Sequence, residues 1–296
     1  MNAKNIVITI LALILIGAIS YLIMNSGGDT VVVVEDSPNT IDTAKTETTE
    51  LNDEQQKASD QPIIKKQQKE SVIGTSVEGT DILAYHFGTG DKEILLIGGV
   101  HGSYSPNTTS LASEFISYFE KNEATIPANL TVTIIPNLNP DGATKSGATG
   151  RFNANNVDLN RNFDCEWSAK AVWKNEEVSG GTKAFSEPEA IALRDYVEQH
   201  DPVAAVVWFS AEGKVYPSAC NEKLNKASIE LANTFASAAK YKEGVEFDSY
   251  AITGDMVNWM AKQSIPAISV LLSDYKNTEW QKNEAGVKAV LAKYAE

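Results

Sequence analysis

Two arginines ten residues apart, Arg151 and Arg161, stand in the segment RFNANNVDLNRNF over residues 151–163, among asparagines and few apolar side chains. A guanidinium presents a planar fork of N–H donors that matches a carboxylate bidentately, and an asparagine amide adds a hydrogen bond without adding charge. So polar a segment reads as a loop rather than core, and its chemistry is that of carboxylate binding. Asn160 with Arg161 would hold a terminal carboxylate, and Arg151 would reach the neighbouring carbonyl. For an arbitrary pair of arginines the plainer reading is a solvated loop.

Four further strings accompany this loop: Gly-Gly-Val-His-Gly at 98–102, Asn-Pro-Asp-Gly at 139–142, Phe-Ser-Glu-Pro-Glu at 185–189 and Tyr250-Ala-Ile-Thr-Gly-Asp255. In that order they resemble the zinc carboxypeptidases over about residues 71–296, with a lean toward the bacterial branch that includes murein-peptide amidases. The resemblance implies a zinc held by a His, a Glu three residues later and a second His at the end of a later strand. Three protein ligands leave one position for water, whose pKa the metal lowers, and a Glu on another strand takes its proton. His101 matches the first ligand, and Asp141 matches the carboxylate that orients it through the other ring nitrogen. The remaining positions depart from the pattern. Tyr104 stands where the Glu ligand should be, Phe209 where the second His should be, and Leu271 where the general base should be.

Among possible substitutes, His86 lies on an early strand, His200 at the end of a helix, and Asp274 would face the other way on a continuing strand. Glu212, three residues past Phe209, could approach the site from its loop. The substrate-holding positions implied by the resemblance are intact: Arg151, Asn160, Arg161, the mobile Tyr250, and Val257, which would line a side-chain pocket and favour apolar residues. The expectation is a catalytically impaired member of the family, with zinc weak or absent, that binds peptides by their C-terminal carboxylate, cell-wall peptides included. An active metallocarboxypeptidase or murein-peptide amidase with a rearranged zinc site is one alternative. A structural scaffold whose arginines are remnants is the other.

The elements that must position these residues alternate between short β-branched runs and amphipathic stretches, the pattern of an α/β domain. Strands are expected at Ile82–Phe87, Ile94–Ile97, Leu130–Ile135, Val203–Phe209 and Ala267–Leu272. Helices are expected at Thr109–Lys121, Glu187–Gln199, Glu222–Lys240, Asp255–Lys262 and Glu284–Tyr294. Ser186 with Glu189 reads as a capping box, and Pro188 suits the first helical turn. Residues 136–186 show few periodic stretches, and so long an irregular segment in a compact domain is usually functional. The resemblance implies a single α/β domain at 71–296 with a twisted mixed central sheet flanked by helices.

Ahead of that domain, Ile6–Met24 is an uncharged apolar run of 19 residues, about 28 Å as a helix and near the thickness of a bilayer's hydrocarbon core. It reads as an N-terminal transmembrane anchor within residues 1–25, a cleaved signal peptide being the alternative. Lys4 precedes the run and no Lys or Arg follows until Lys45, which places the N-terminus inside and the domain outside the cytoplasm. Residues 26–70 are polar and acidic, the composition of a disordered tether. A formal charge of −14 and a pI near 4.7 exclude a nucleic-acid partner in the absence of any basic stripe. Cys165 and Cys220 are the two cysteines. An external compartment permits a disulfide, and the sheet implied by the resemblance brings both to one rim; two free thiols are the alternative.

Overall fold

Lys92–Ile97 reads Lys-Glu-Ile-Leu-Leu-Ile, and every residue after the lysine is buried. A continuous apolar strand of this kind needs cover on both faces, which is the situation of a parallel strand inside an α/β sheet. The computed structural model describes residues 69–296, apart from Glu222, Glu246 and Asp248, and places this strand centrally. In chain order the strands are β1 (Glu70–Thr75), β2 (Asp81–Gly88), β3 (Lys92–Ile97), β4 (Leu130–Ile135), β5 (Lys170–Trp173), β6 (Glu176–Ser179), β7 (Ala204–Ser210), β8 (Lys214–Pro217), β9 (Ala219–Cys220), β10 (Lys223–Leu224), β11 (Lys242–Glu243) and β12 (Ala267–Leu272). Eight of them form one mixed sheet in the order β1-β2-β4-β3-β7-β12-β8-β11. The pairs β4–β3, β3–β7 and β7–β12 are parallel, whereas β1–β2, β2–β4 and β12–β8 are antiparallel.

The helices are α1 (Pro106–Asn122), α2 (Pro140–Ala143), α3 (Pro188–His200), α4 (Lys226–Ala239), α5 (Met256–Lys262) and α6 (Trp280–Ala295). On α1 the buried Leu111, Ala112, Phe115 and Phe119 recur at helical spacing and face the sheet. There Phe115 stacks on Trp208 of β7 at 5.2 Å, and Phe87 packs against Phe119. This aromatic group anchors a core that α4 and α6 complete with Leu231, Phe235 and Val287. The opposite face carries a second core, in which Leu95, Ile97, Ala205 and Val207 meet α3 and α5. Each fully buried Leu or Val stabilises the fold by about 1.5–3 kcal/mol before chain entropy is set against it.

The expected strands and helices all form, with ends displaced by a few residues. One local expectation fails. No capping box closes α3: Ser186 Oγ donates to Glu187 Oε1 at 2.7 Å, and Glu189 accepts from the Val77 backbone and from Asn153. Tertiary partners outcompete the local cap because both carboxylates are buried and need donors. Ile6–Met24 and most of the tether lie outside the described residues, and among the described helices none is long and apolar enough to cross a membrane.

Candidate functional site

A cleft of about 680 Å³ opens at the carboxyl ends of β3, β7 and β12, where ligands collect in parallel sheets. The chain leaves β3 and turns at His101, just before a single 3-10 turn at Gly102–Tyr104. Gly102 has φ +41°, and a Cβ there would lie 2.4 Å from the Gly142 carbonyl carbon. Only glycine lets the histidine turn pack so tightly on the Asn139–Gly142 turn.

His101 is 4% exposed, and both ring nitrogens are engaged. Nε2 lies 3.3 Å from Asp158 Oδ1, and Nδ1 lies 3.3 Å from Arg151 Nη1. A guanidinium can only donate, so Nδ1 accepts and the ring proton sits on Nε2, donated to Asp158. Burial, reinforced by the Arg151 charge, lowers the pKa of His101 to about 4. Burial opposes ionisation of Asp158, but Arg151 and the His101 hydrogen bond outweigh it and hold that carboxyl well below the usual range. Arg151 completes the cluster with bonds to Asp158 Oδ2 from Nε at 2.8 Å and Nη2 at 2.7 Å, and its guanidinium lies 4.6 Å over the Trp173 ring.

Asp141 does not orient His101 as the sequence suggested. Its oxygens accept from Ser76 Oγ at 2.6 Å and the Glu78 backbone N–H at 3.1 Å, which fastens the turn between β1 and β2. Asp158 takes its place at the histidine because the arginine loop folds back onto the His101 turn. Asp158 also caps its own 3-10 turn by accepting from Asn160 N at 3.1 Å. Sequence reading passed over this residue, although it stands between the two arginines.

At the other positions, Phe209 and Leu271 are register partners on β7 and β12, and the Phe209 ring lies 5.5 Å from the imidazole of His101. Tyr104 donates or accepts a hydrogen bond with Tyr275 at 2.9 Å and packs edge-on against Trp173. Glu212 lines the cleft, but its Oε1 accepts from Lys214 Nζ at 2.6 Å and Tyr216 Oη at 2.8 Å. His86 and His200 belong to a separate network around Thr133 and Glu93, and Asp274 binds the backbone of Lys276 and Asn277. Among the described residues, no three His, Cys, Asp or Glu side chains converge as a metal site would require.

Outside Asn155 and Asn156, which are exposed, the arginine loop is largely buried rather than solvated: Asn153, Asp158 and Asn162 are fully covered and Arg161 is 1% exposed. Its polarity is consumed internally. Asn162 Nδ2 donates to Gly180 O at 2.7 Å, and Asn153 Nδ2 donates to Glu187 at 2.8 Å. Asn160 accepts from Met256 N at 3.1 Å and donates to Asp255 Oδ2 at 2.7 Å, so it joins the loop to the start of α5. Gly254, at φ +65°, brings that segment in; a Cβ there would lie 2.2 Å from the Arg161 carbonyl oxygen.

Arg161 donates to Val172 O from Nε at 3.2 Å and from Nη2 at 3.1 Å, and to Asn160 O from Nη1 at 2.7 Å. Of five N–H groups, one on each terminal nitrogen has no partner among the described residues. Arg161 lines the cleft, has no carboxylate within ion-pair distance among the described residues, and sits 5.9 Å from the Tyr250 ring. Tyr250 packs on Phe247 at 4.8 Å. Val257 departs from expectation: it is buried in the core under the sheet, and Asp255 and Asn258 face the cleft instead. A short helix presents one side only, and here that side carries the polar residues. Cys165 and Cys220 form a disulfide with Cα atoms 5.9 Å apart, which ties the arginine loop to β9 at the rim.

Comparison with known proteins agrees with this architecture. The sequence pattern of the family described as zinc carboxypeptidase matches residues 59–290. Rat (Rattus norvegicus) carboxypeptidase D is 24% identical over 229 residues, 69% of this chain, and the chain spans 14% of that relative's length. Bovine (Bos taurus) carboxypeptidase O is 27% identical over 164 residues, 47% of this chain and 44% of that one. Bovine thrombin-activatable fibrinolysis inhibitor, solved with tick carboxypeptidase inhibitor, superposes with a TM-score of 0.63 at 19% identity, covering 76% of this chain and 88% of that one. Murein-tripeptide amidase from Escherichia coli O157 gives 0.57 at 20% identity, covering 76% and 91%. With the match extending over most of its length, the chain belongs to the zinc carboxypeptidase family.

Proposed function

We propose that this domain captures peptides by their C-terminal carboxylate and does not hydrolyse them by zinc-water chemistry. The observation that carries the reading is Arg161: a buried guanidinium in the cleft with no carboxylate partner among the described residues and one unused N–H on each terminal nitrogen. Two free N–H groups on one guanidinium are the donors a carboxylate needs. Asn160 positions the loop and keeps one amide hydrogen free among the described residues, Arg151 closes the inner end, and Tyr250 flanks the guanidinium of Arg161.

The residues do not fit zinc. The Nδ1 of His101 is held by a guanidinium N–H, whose positive charge would repel a metal ion at the same place. The phenyl of Phe209 and the isobutyl of Leu271 offer no donor atoms, and Glu212 is tied to Lys214. A neutral His101 serves here as an acceptor that fixes Arg151, and no catalytic step is assigned to it. Peptide ligands are also supported by the relatives, one solved with a carboxypeptidase inhibitor and another named a murein-tripeptide amidase. Cell-wall peptides are accordingly the ligand class proposed, met by a domain anchored through Ile6–Met24 outside the cytoplasm. The disulfide supports that placement, since such bonds persist in oxidising compartments.

The test is calorimetry on the domain with N-acetylated peptides, muropeptides included, each as free acid and as C-terminal amide. The acid should bind more tightly by about 2–5 kcal/mol, the range for a desolvated charge pair. Equal binding of acid and amide would overturn the reading. Stoichiometric zinc retained through gel filtration, lost on Glu212→Ala, would restore the enzyme.

A further inference from the structure

The β5–β6 hairpin brings a cation into the cleft that no acid among the described residues answers. Its turn is Lys174–Asn175, and both residues line the cleft. Lys174 holds φ +56°, a left-handed conformation that strains a lysine and would not strain a glycine. Strain of that kind persists where the surroundings or the function demand the residue. The Lys174 ammonium lies 4.9 Å over the Trp173 ring and 3.5 Å from the Tyr104 hydroxyl, with no Asp or Glu among the described residues within ion-pair distance.

A second donor stands beside it. The hydroxyls of Tyr104 and Tyr275, 2.9 Å apart, use one of their two hydrogens on each other, and the remaining one has no partner among the described residues. Burial and the Tyr104 hydrogen bond push the Tyr275 phenol up to about 12, against the charges of Lys174 and Arg151, so it keeps its hydrogen at neutral pH. Tyr104 stands where the family resemblance would put a carboxylate ligand for a cation, and a hydroxyl there donates instead. The acids deeper in the cleft are occupied elsewhere: Asp158 by Arg151, Glu212 by Lys214, and Asp255 by Asn160 and the Asn258 backbone. An ammonium and a spare O–H on one wall, with the Trp173 ring behind them, form a site for an anion.

Its distance from Arg161 says which anion. Arg161 donates to the Val172 carbonyl, and Val172 precedes Lys174 by two residues, about 7 Å along β5 at the rise of a strand. Adjacent Cα atoms of a bound peptide are about 3.8 Å apart, and an acidic side chain spans the remainder. We propose that the Lys174 site selects ligands with a carboxylate side chain on the residue before the last, Lys174 supplying the charge and the Tyr104–Tyr275 pair the oriented hydroxyl. The inference rests on capture of the C-terminal carboxylate by Arg161 and concerns the residue upstream of it.

Calorimetry on the native domain tests it with two N-acetylated peptides that end in Glu-Ala and Gln-Ala, each as free acid and as C-terminal amide. The Glu-Ala acid should bind about 5-fold more tightly than the Gln-Ala acid, the upper range for an ion pair open to solvent, and the preference should shrink at raised ionic strength. Lys174→Met keeps the stem and removes the charge, so it should abolish the preference and leave the affinity for Gln-Ala unchanged. Tyr104→Phe should reduce the preference. Acids that beat their amides with no preference for Glu-Ala, or a preference that survives in Lys174→Met, would overturn this inference alone. Acids and amides that bind equally would overturn the Arg161 reading and this inference with it. Should Lys174→Met fail to fold, the native series decides by itself.

Discussion

Lowering the pH from 7 to 4 perturbs the cluster of His101, Asp158 and Arg151 at one point. The unfolded chain binds a proton at His101 near pH 6.5, whereas the folded protein refuses it until about pH 4. Between those values the unfolded state holds more protons, so stability falls as pH drops through the window; a histidine with a raised pKa would do the reverse. The gap of about 2.5 units at 1.36 kcal/mol each corresponds to a loss of about 3 kcal/mol from this one group. Asp158 adds little within the window, because its depressed carboxyl loses its contribution only below the unfolded value. Asp255 and Glu189, with raised pKa values, act oppositely. A His101→Gln variant removes these shared terms from the comparison, since an amide can donate to Asp158 and accept from Arg151 without titrating. Urea unfolding of both proteins at pH 7, 6, 5 and 4 should show the wild type losing about 3 kcal/mol more than the variant. Parallel stability curves, or a His101 ring resonance that titrates near pH 6.5, would refute the placement of Arg151 against Nδ1.

Removing the disulfide with Cys165→Ser and Cys220→Ser should cost about 4 kcal/mol by the loop-entropy relation, read as a lower denaturation midpoint. Arg161→Ala should weaken peptide binding and also lower stability, because the Val172 and Asn160 carbonyls lose their donors at about 1–3 kcal/mol each; unaltered unfolding would contradict the hydrogen bonds described. Val257→Thr should cost about 1–3 kcal/mol by burying a hydroxyl, with no change in the ranking of peptides; a changed ranking would return Val257 to the pocket. Gly102→Ala should destabilise the domain, seen by thermal unfolding, because its Cβ meets backbone at 2.4 Å and the residue sits at positive φ.

What the sequence by itself determined is whatever depends on local periodicity or on the order of short strings. The buried strand at 130–135 and the helix at 188–200 follow from hydrophobic spacing, and the family follows from five motifs in order. The same strings located Arg161, Asn160, Tyr250 and His101, all of which line one cleft. Whether a side chain is free was a different question. Asp141 and Asp158 are both acids near a histidine motif, and only the fold of the arginine loop decided that Asp158 meets His101 while Asp141 holds the β1–β2 turn. Glu212 looked available until Lys214 and Tyr216, its neighbours along β8, were seen to claim it. Val257 and Asp255 are two residues apart on one short stretch, and the packing of α5 against the sheet settled which is core and which faces the cleft. Partner choice among buried polar groups is a competition between donors and acceptors that are distant in the chain. Its outcome depends on distances that tertiary packing alone sets.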